Sequence, residues 1–368
     1  MRSKIFIGVL IAIVLVGIIF FSRIGNSGGQ KNVYAVLPLT GASSELGKTI
    51  KQAMDLYFGM NPKSSVNIVY VDSGSSPEKA ATALSQKIVN EDNPLVVTAL
   101  SSVSAAVIPI VNQKSGFTFA ILTSKVEKND VNKSYLRFDV AVADIVTPNV
   151  KYMKAEKIDS ASILFTNDEY GLTTANEYKK QLHGMNASIV KMAPFSLTDL
   201  NVREVVSRIL SDNPKAIVVC GNATPSYINV FKELQAQRYS GIIFADLGFT
   251  NPFVYKSVGD ICRHVVVSCT RAVLTNKIGE GKQYMLECMR SGIPCNQTTV
   301  APYDVLSMIE GLLKRGESLS DKLFLNMEHY QGVSDTIKFI GDGECSYDCL
   351  SARVIDDYSI VPITSQER

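Results

Sequence analysis

Ala42-Ser-Ser-Glu-Leu-Gly-Lys-Thr49 sets a glycine, a lysine and a threonine hydroxyl in the order a phosphate-cradling loop uses, between an apolar strand and a helical pattern. Ile68-Val-Tyr-Val-Asp72 would supply the accompanying metal-facing strand. Two features count against that chemistry. Alanine holds the first position of the pattern and Gly41 stands one place too early, so Gly47 alone offers freely bending backbone. The segment also follows an apolar N-terminal run that carries it out of the cytoplasm, away from nucleotide. Hydrolysis has no better footing: His183, His264 and His329 form no H-E-x-x-H pair, and no G-x-S-x-G turn precedes a helix. An enzyme, whether P-loop NTPase or hydrolase, is the lesser reading, and no cofactor is expected.

The seven cysteines all lie at or after Cys220, without the two-residue gaps of a zinc ribbon. Outside the cytoplasm disulfides are permitted. Cys288 and Cys295 bracket Gly292 and Pro294, and Cys345 and Cys349 flank a turn after Gly343, so two local disulfides are expected. Cys220 ends an apolar run and reads as a buried strand residue.

Small polar residues recur at the C-terminal ends of the β-rich runs. Ser101-Ser102 follows Leu95 to Leu100, Thr123-Ser124 follows Phe117 to Leu122, and Asn222 follows Ala216 to Gly221. Helix N-termini at such places offer unsatisfied N–H groups and positive potential to an anion. Plain helix capping explains each loop singly, because serine and threonine are preferred N-caps. Their joint occurrence at strand ends, where open parallel sheets bind ligands, favours binding.

The elements that position these loops alternate between two periodicities. Val33 to Leu39, Val66 to Val71, Leu95 to Ala99 and Phe117 to Leu122 read as strands separated by helices, for example the one that Ser76-Pro77 opens. Ser160 to Phe165, Ser188 to Met192, Ala216 to Val219, Ile242 to Ala245 and Val265 to Ser268 form a second series, with helices over Asp199 to Ser211 and Pro225 to Gln237. Two α/β lobes follow, each with a parallel sheet. A helix over Tyr303 to Lys314 and a strand pair around Gly341-Asp-Gly343 complete the chain.

Arg2 and Lys4 precede the apolar run Ile5 to Phe21, which is long for a signal peptide and somewhat shorter than the roughly 20 residues that cross a bilayer. Cleavage and a retained anchor both stay open. Either way the chain beyond Gly29 faces outward. Net charge is +2, so nothing attracts nucleic acid by counterion release. With 46% hydrophobic and 20% charged residues the chain is globular.

Pro38-Leu-Thr-Gly-Ala-Ser-Ser-Glu-Leu-Gly47, Val71-Asp-Ser-Gly-Ser-Ser-Pro-Glu-Lys-Ala-Ala81, Leu100-Ser-Ser-Val-Ser104, Thr166-Asn-Asp-Glu-Tyr-Gly171, Tyr303-Asp304 and Phe339-Ile-Gly-Asp-Gly343 resemble, in order and spacing, a type I periplasmic binding protein of the branched-chain amino acid (Leu/Ile/Val) kind. Such proteins are the solute-binding components of ABC importers. The resemblance spans nearly all of residues 31 to 365. It implies an α/β fold of two Rossmann-like lobes with parallel-rich sheets and a cleft between them: lobe 1 from 31–144 plus 272–330, lobe 2 from 145–271 plus 331–368, and 1–30 as signal peptide or anchor. Three hinge crossings fall near Asp144 to Thr147, Ser268 to Arg271 and Gln331 to Val333.

The resemblance further implies a small-molecule solute held between the lobes and a membrane permease as partner. It places ligand contacts at Ser101 and Ser102, at Thr123-Ser124-Lys125, at Tyr170 and at Asn222. The chain departs from the pattern where an acidic residue would pair with a ligand ammonium. Leu247 falls there, with Asp246 adjacent, and Leu46 stands at a first-lobe aromatic position. A buried ammonium without a carboxylate is costly, so an ordinary α-amino acid fits less well than an organic or aromatic acid, which Lys125 would suit. An anchored sensor of the same fold is the alternative to a transport protein.

Overall fold

The computed structural model describes residues 30–123, 126, 134–271, 279–319, 323–324, 327–333, 336–355 and 359–363. The N-terminal run to residue 29, Ser124 and Lys125 lie outside the described residues. The first lobe begins β1 (Lys31–Leu37), α1 (Ser44–Met60), β2 (Val66–Asp72), α2 (Pro77–Lys87), β3 (Leu95–Ala99), α3 (Ser101–Gln113), β4 (Phe117–Ile121) and β5 (Tyr135–Arg137). Val33 to Leu37, Leu95 to Ala99 and Phe117 to Ile121 are buried at every position, as strands covered on both faces must be.

The second lobe follows with α4 (Val142–Ala155), β6 (Ser160–Thr166), α5 (Glu169–Gly184), β7 (Ser188–Phe195), α6 (Arg203–Leu210), β8 (Ala216–Cys220), α7 (Pro225–Ala236) and β9 (Ile242–Ala245). A 3-10 turn at Leu247–Thr250, the short α8 (Pro252–Tyr255), a second 3-10 turn at Gly259–His264 and β10 (Val265–Thr270) close this stretch. The chain then returns with α9 (Gly279–Arg290) and α10 (Gln297–Lys314), followed by β11 (His329–Gln331), β12 (Thr336–Gly341), β13 (Glu344–Ser346), β14 (Cys349–Val354) and β15 (Ile360–Pro362).

Two sheets result. The first runs β11-β12-β13-β5-β4-β3-β1-β2 and the second β15-β14-β10-β9-β8-β6-β7. Within each, the run from β2 to β5 or from β7 to β10 is parallel; of the late strands β13 joins β5 in parallel, and the rest pair antiparallel. The two sheets share one logic: strand order reverses between β1 and β3 in the first lobe and between β6 and β8 in the second. At such a switch point the loops leaving adjacent strands diverge to opposite faces and open a crevice beyond the strands' carboxyl ends.

Three expectations need correction. The third crossing does not fall at Gln331 to Val333, because β12 and β13 still pair into the first sheet, and the chain changes lobe only between Ser346 and Cys349. Asp144 to Thr147 lie within α4, which packs on α5, β14 and β10, so the first crossing precedes them, after β5. The last long helix starts at Gln297, not Tyr303. Asn296 accepts from the Thr298 N–H while Thr299 Oγ1 accepts from the Asn296 N–H at 3.1 Å, and this capping box sets the start upstream of Pro302.

No disulfide joins any of the seven cysteines, so the expected pairs Cys288–Cys295 and Cys345–Cys349 are not made. The Cys345 thiol is directed elsewhere: it donates to the Arg137 carbonyl at 3.1 Å. Cys349 opens β14 opposite Thr270 instead of facing back across the turn.

Candidate ligand-binding cleft

The two switch points face each other across the gap between the lobes. From the first come Gly41 to Ser43 and Leu100 to Ser102; from the second come Asp168 to Tyr170. Together with Gly74, Ser75, Leu197 and Thr198 they line an outer chamber of about 810 Å³ that includes its open mouth. A much narrower inner chamber, about 480 Å³ only when the space open to solvent is counted, lies toward the crossings, between Leu46, Leu122, Asp139, Gln297 and Thr298 on one side and Gly221 to Ala223, Leu247, Gly248 and Asn251 on the other. Tyr170 borders both.

α1 and α3 both present their N-termini to the outer chamber, and neither has a side-chain cap. The positive ends of both helices therefore face the chamber, with the Ser44 N–H turned to the Gly41 carbonyl at 3.2 Å. Leu100 before α3 has φ 78, and Leu122 at the end of β4 has φ 47. These are left-handed values that cost a non-glycine residue of order 1–3 kcal/mol. The strain turns the chain sharply at two adjacent strand ends, directly beneath the cleft.

The phosphate-loop reading of Ala42 to Thr49 ends here. Helix α1 begins at Ser44, so Gly47 is helical and buried, and a Cβ there would meet the Pro38 carbonyl. Its role is close helix–strand packing. Lys48 pairs with Glu45 at 2.8 Å on the exposed face.

Of the other expected site residues, Ser101, Ser102, Tyr170 and Asn222 line the chambers. Thr123 does not. It is wholly buried, with Oγ1 against Ser104 Oγ at 2.8 Å and the Ile121 carbonyl at 3.0 Å. Asn222 donates from Nδ2 to Asp168 Oδ2 at 2.7 Å, and Asp168 Oδ1 also accepts from the Thr166 hydroxyl and the Gly171 N–H. Burial raises the Asp168 pKa above the usual carboxylate range, and those three donors oppose it.

Asp246 is likewise no chamber wall. It lies fully buried behind the Asn222 loop, accepting from the Gly221 N–H at 2.9 Å, the Gly248 N–H at 3.1 Å and the Tyr227 hydroxyl at 3.2 Å. Burial pushes its pKa up to about 7 against those bonds. A Cβ at Gly248 would meet the Gly221 carbonyl, so glycine at 248 is required for this close approach, while a Cβ at Gly221 would meet the Thr166 side chain. Asp246 thus ties the loop after β9 to the loop after β8.

Two residues that the sequence did not mark stand on the inner chamber. Asp139, in the first crossing, is 4% exposed, and burial raises its pKa to about 7 despite Arg137 nearby. Gln297, the first residue of α10, is 2% exposed, and its Nε2 has no hydrogen-bond partner. The Tyr170 hydroxyl is also closed off from solvent, beside Asp246, without a hydrogen bond of good geometry. Among the described residues no group of His, Cys, Asp and Glu side chains is arranged to hold a metal ion.

The same architecture recurs in solved structures. A leucine-binding protein from Thermotoga maritima is similar with a TM-score of 0.79 at 16% identity, covering 91% of this chain and 98% of that one. A solute-binding protein of an ABC transporter from Rhodopseudomonas palustris, in complex with 4-hydroxybenzoate, gives a TM-score of 0.77 at 14% identity over 90% of this chain and 95% of the other. Another from the same organism, in complex with benzoate, gives 0.77 at 16% identity over 91% and 96%. No curated protein sequence matches the chain. Residues 33–260, well over half of the chain, match the family described as periplasmic binding protein. With both lobes, the facing switch points and this match in agreement, the chain belongs to the periplasmic binding protein family.

Proposed function

We propose that this protein captures a small carboxylate-bearing solute between its lobes, outside the cytoplasmic membrane, and delivers it unchanged to an ABC permease. One observation carries the reading: the uncapped N-termini of α1 and α3 meet at the outer chamber, with Ser101 and Ser102 on its wall. Helix N-termini and the Ser102 hydroxyl offer donors to an acceptor-rich anion on the first-lobe wall, facing Asp168 and Glu169 of the second lobe. The body of the solute would lie along Tyr170 and the leucines Leu46, Leu122 and Leu247.

An aromatic or alicyclic acid suits these walls better than an α-amino acid. Asp246 and Asp168 are both engaged with protein donors, so from the second lobe a ligand ammonium would meet only Glu169, on the wall of the outer chamber. The benzoate and 4-hydroxybenzoate complexes of the Rhodopseudomonas proteins support this choice.

Titration calorimetry against aromatic acids, aliphatic acids, amino acids and matched neutral amides tests the proposal. Acids should bind and their amides should not, and Ser102→Ala should weaken an acid by about 10- to 100-fold, the cost of one hydrogen bond to a charged group. Equal binding of acid and amide, or turnover of the ligand, would refute it.

A further inference from the structure

The pole of the first lobe opposite the cleft is where the chain enters it. β1, β3 and β4 begin there and α1, α2 and α3 end there, because helices that link parallel strands run back along the sheet. Glu310, bonded to Tyr57 and Ser64, brings the end of α10 to the same pole. Its turns and last helical residues carry Lys31, Lys63, Lys87, Lys114, Lys314 and Arg315 against Glu91, Asp92 and Glu317. Of these acids Glu91 accepts from the Tyr34 hydroxyl at 2.6 Å and Glu317 pairs with Arg315, while Lys314 answers the buried Glu310. Lys63 and Lys87 are exposed and have no ion pair among the described residues. Val89, two residues beyond Lys87, is 62% exposed. Elsewhere the balance differs. Arg2, Lys4 and Arg23 are three of the 37 basic residues, so the chain beyond them holds 34 against 35 acidic ones, and this pole is basic on a slightly acidic body.

The tether decides what this pole meets. Nine residues lead from Phe21, the last of the apolar run, to Gln30, whose Nε2 donates to the Ser64 carbonyl at the pole. Fully extended, nine residues span at most about 30 Å. A retained apolar run therefore holds this pole, and not the far end of the second lobe, close to the membrane. We propose that the first lobe stands with this pole on the anionic phospholipid headgroups of the membrane's outer face, Lys63 and Lys87 meeting the lipid phosphates. The seven residues of β1 rise about 23 Å from the pole. The cleft at the other ends of the strands is thus held in water, and the second lobe is the one free to swing. This posture is the same whatever solute the cleft takes.

The chain has no tryptophan, so a single introduced one reports its own surroundings. The full chain carrying Val89→Trp is reconstituted into vesicles of phosphatidylglycerol and phosphatidylcholine that include a lipid with a nitroxide on its headgroup, which quenches only nearby fluorescence. Leu200→Trp, at an equally exposed position on the second lobe, is the control. Val89→Trp should lose most of its emission and Leu200→Trp almost none. Lys63→Glu combined with Lys87→Glu, vesicles of phosphatidylcholine alone, or high salt should each restore much of the Val89→Trp emission, because the attraction is electrostatic and screened by ions. Absence of quenching at Val89→Trp would overturn the proposal, as would equal quenching at both positions, which means a body lying on its side. Quenching at Val89→Trp that ignores charge reversal and lipid charge would leave the tether alone responsible and overturn the headgroup contact. Recovery of the chain from cells cut behind its apolar run and free of the membrane would overturn it as well.

Discussion

A carboxylate at a ligand site can serve the site without facing it. Asp246 is buried with backbone N–H groups and a tyrosine hydroxyl as partners, and no cation is among them. Its pKa, about 7 in the fold, exceeds the ordinary aspartate value near 4 of an unfolded chain. Between those values the folded state binds the proton that the unfolded state has lost. Stability from this group is therefore complete below about pH 4 and is lost as pH rises through about 7. Melting curves should show the wild type losing stability over that interval, and Asp246→Asn should lose visibly less; equal slopes would show that Asp246 is ionised throughout. Such a role was not readable from sequence, where Asp246 was only an acid beside Leu247. Asp139 and Gln297 were hidden for a related reason. A lone acid after a short strand and a glutamine behind an asparagine carry no pattern, and only the crossing and the capping box turn them inward.

At the scale of elements, patterns of apolar residues placed the strands well, because a strand buried on both faces has few ways to look polar. Helix ends were placed less well. The helix expected from Tyr303 starts earlier, because the hydrogen bonds of Asn296 and Thr299 open α10 at Gln297 and bring Gln297 and Thr298 to the cleft. The other end of α10 braces α1. Glu310, 5% exposed, accepts from the Tyr57 hydroxyl, from Ser64 Oγ at 2.7 Å and from Lys314 at 2.7 Å, so one carboxylate joins α10, α1 and the loop before β2. Glu310→Ala would strand two buried hydroxyls at once. Unfolding in urea should show a loss of about 2–4 kcal/mol, mostly the desolvation of those orphaned donors. Lys314→Ala should cost much less, because the lysine side chain is largely exposed. Equal losses would mean that the surface ion pair, not the buried hydroxyls, holds the two helices.

At the scale of the whole molecule, two lobes were evident from two series of strands, but the third crossing was not. Its position depends on which sheet takes β12 and β13, and hairpin strands with polar outer faces suit either edge. The structure joins the first and third crossings firmly: Arg137 binds Glu344, the Cys345 thiol binds the Arg137 carbonyl, and Ser346 Oγ reaches Asp144 at 3.4 Å. Away from this joint Tyr170 and Leu247 of the second lobe pack against the core of the first, and Asn296 Nδ2 donates to the Thr250 carbonyl at 3.2 Å. That contact bridges the lobes beside the chambers, so the arrangement described here is a closed one whose outer chamber keeps an open mouth. A hinge at the laced crossings with a weak contact at the far side is the mechanical form of a domain closure. Small-angle scattering of the ligand-free protein should give a larger radius of gyration than this closed form, and a saturating acid should bring it down to the closed value. Tyr170→Ala should stay extended at acid concentrations that close the wild type, because it removes the side chain that both bounds the two chambers and bridges the lobes. If the radius is the same with and without bound acid, capture occurs without closure, and the solute enters through the open mouth of the outer chamber alone.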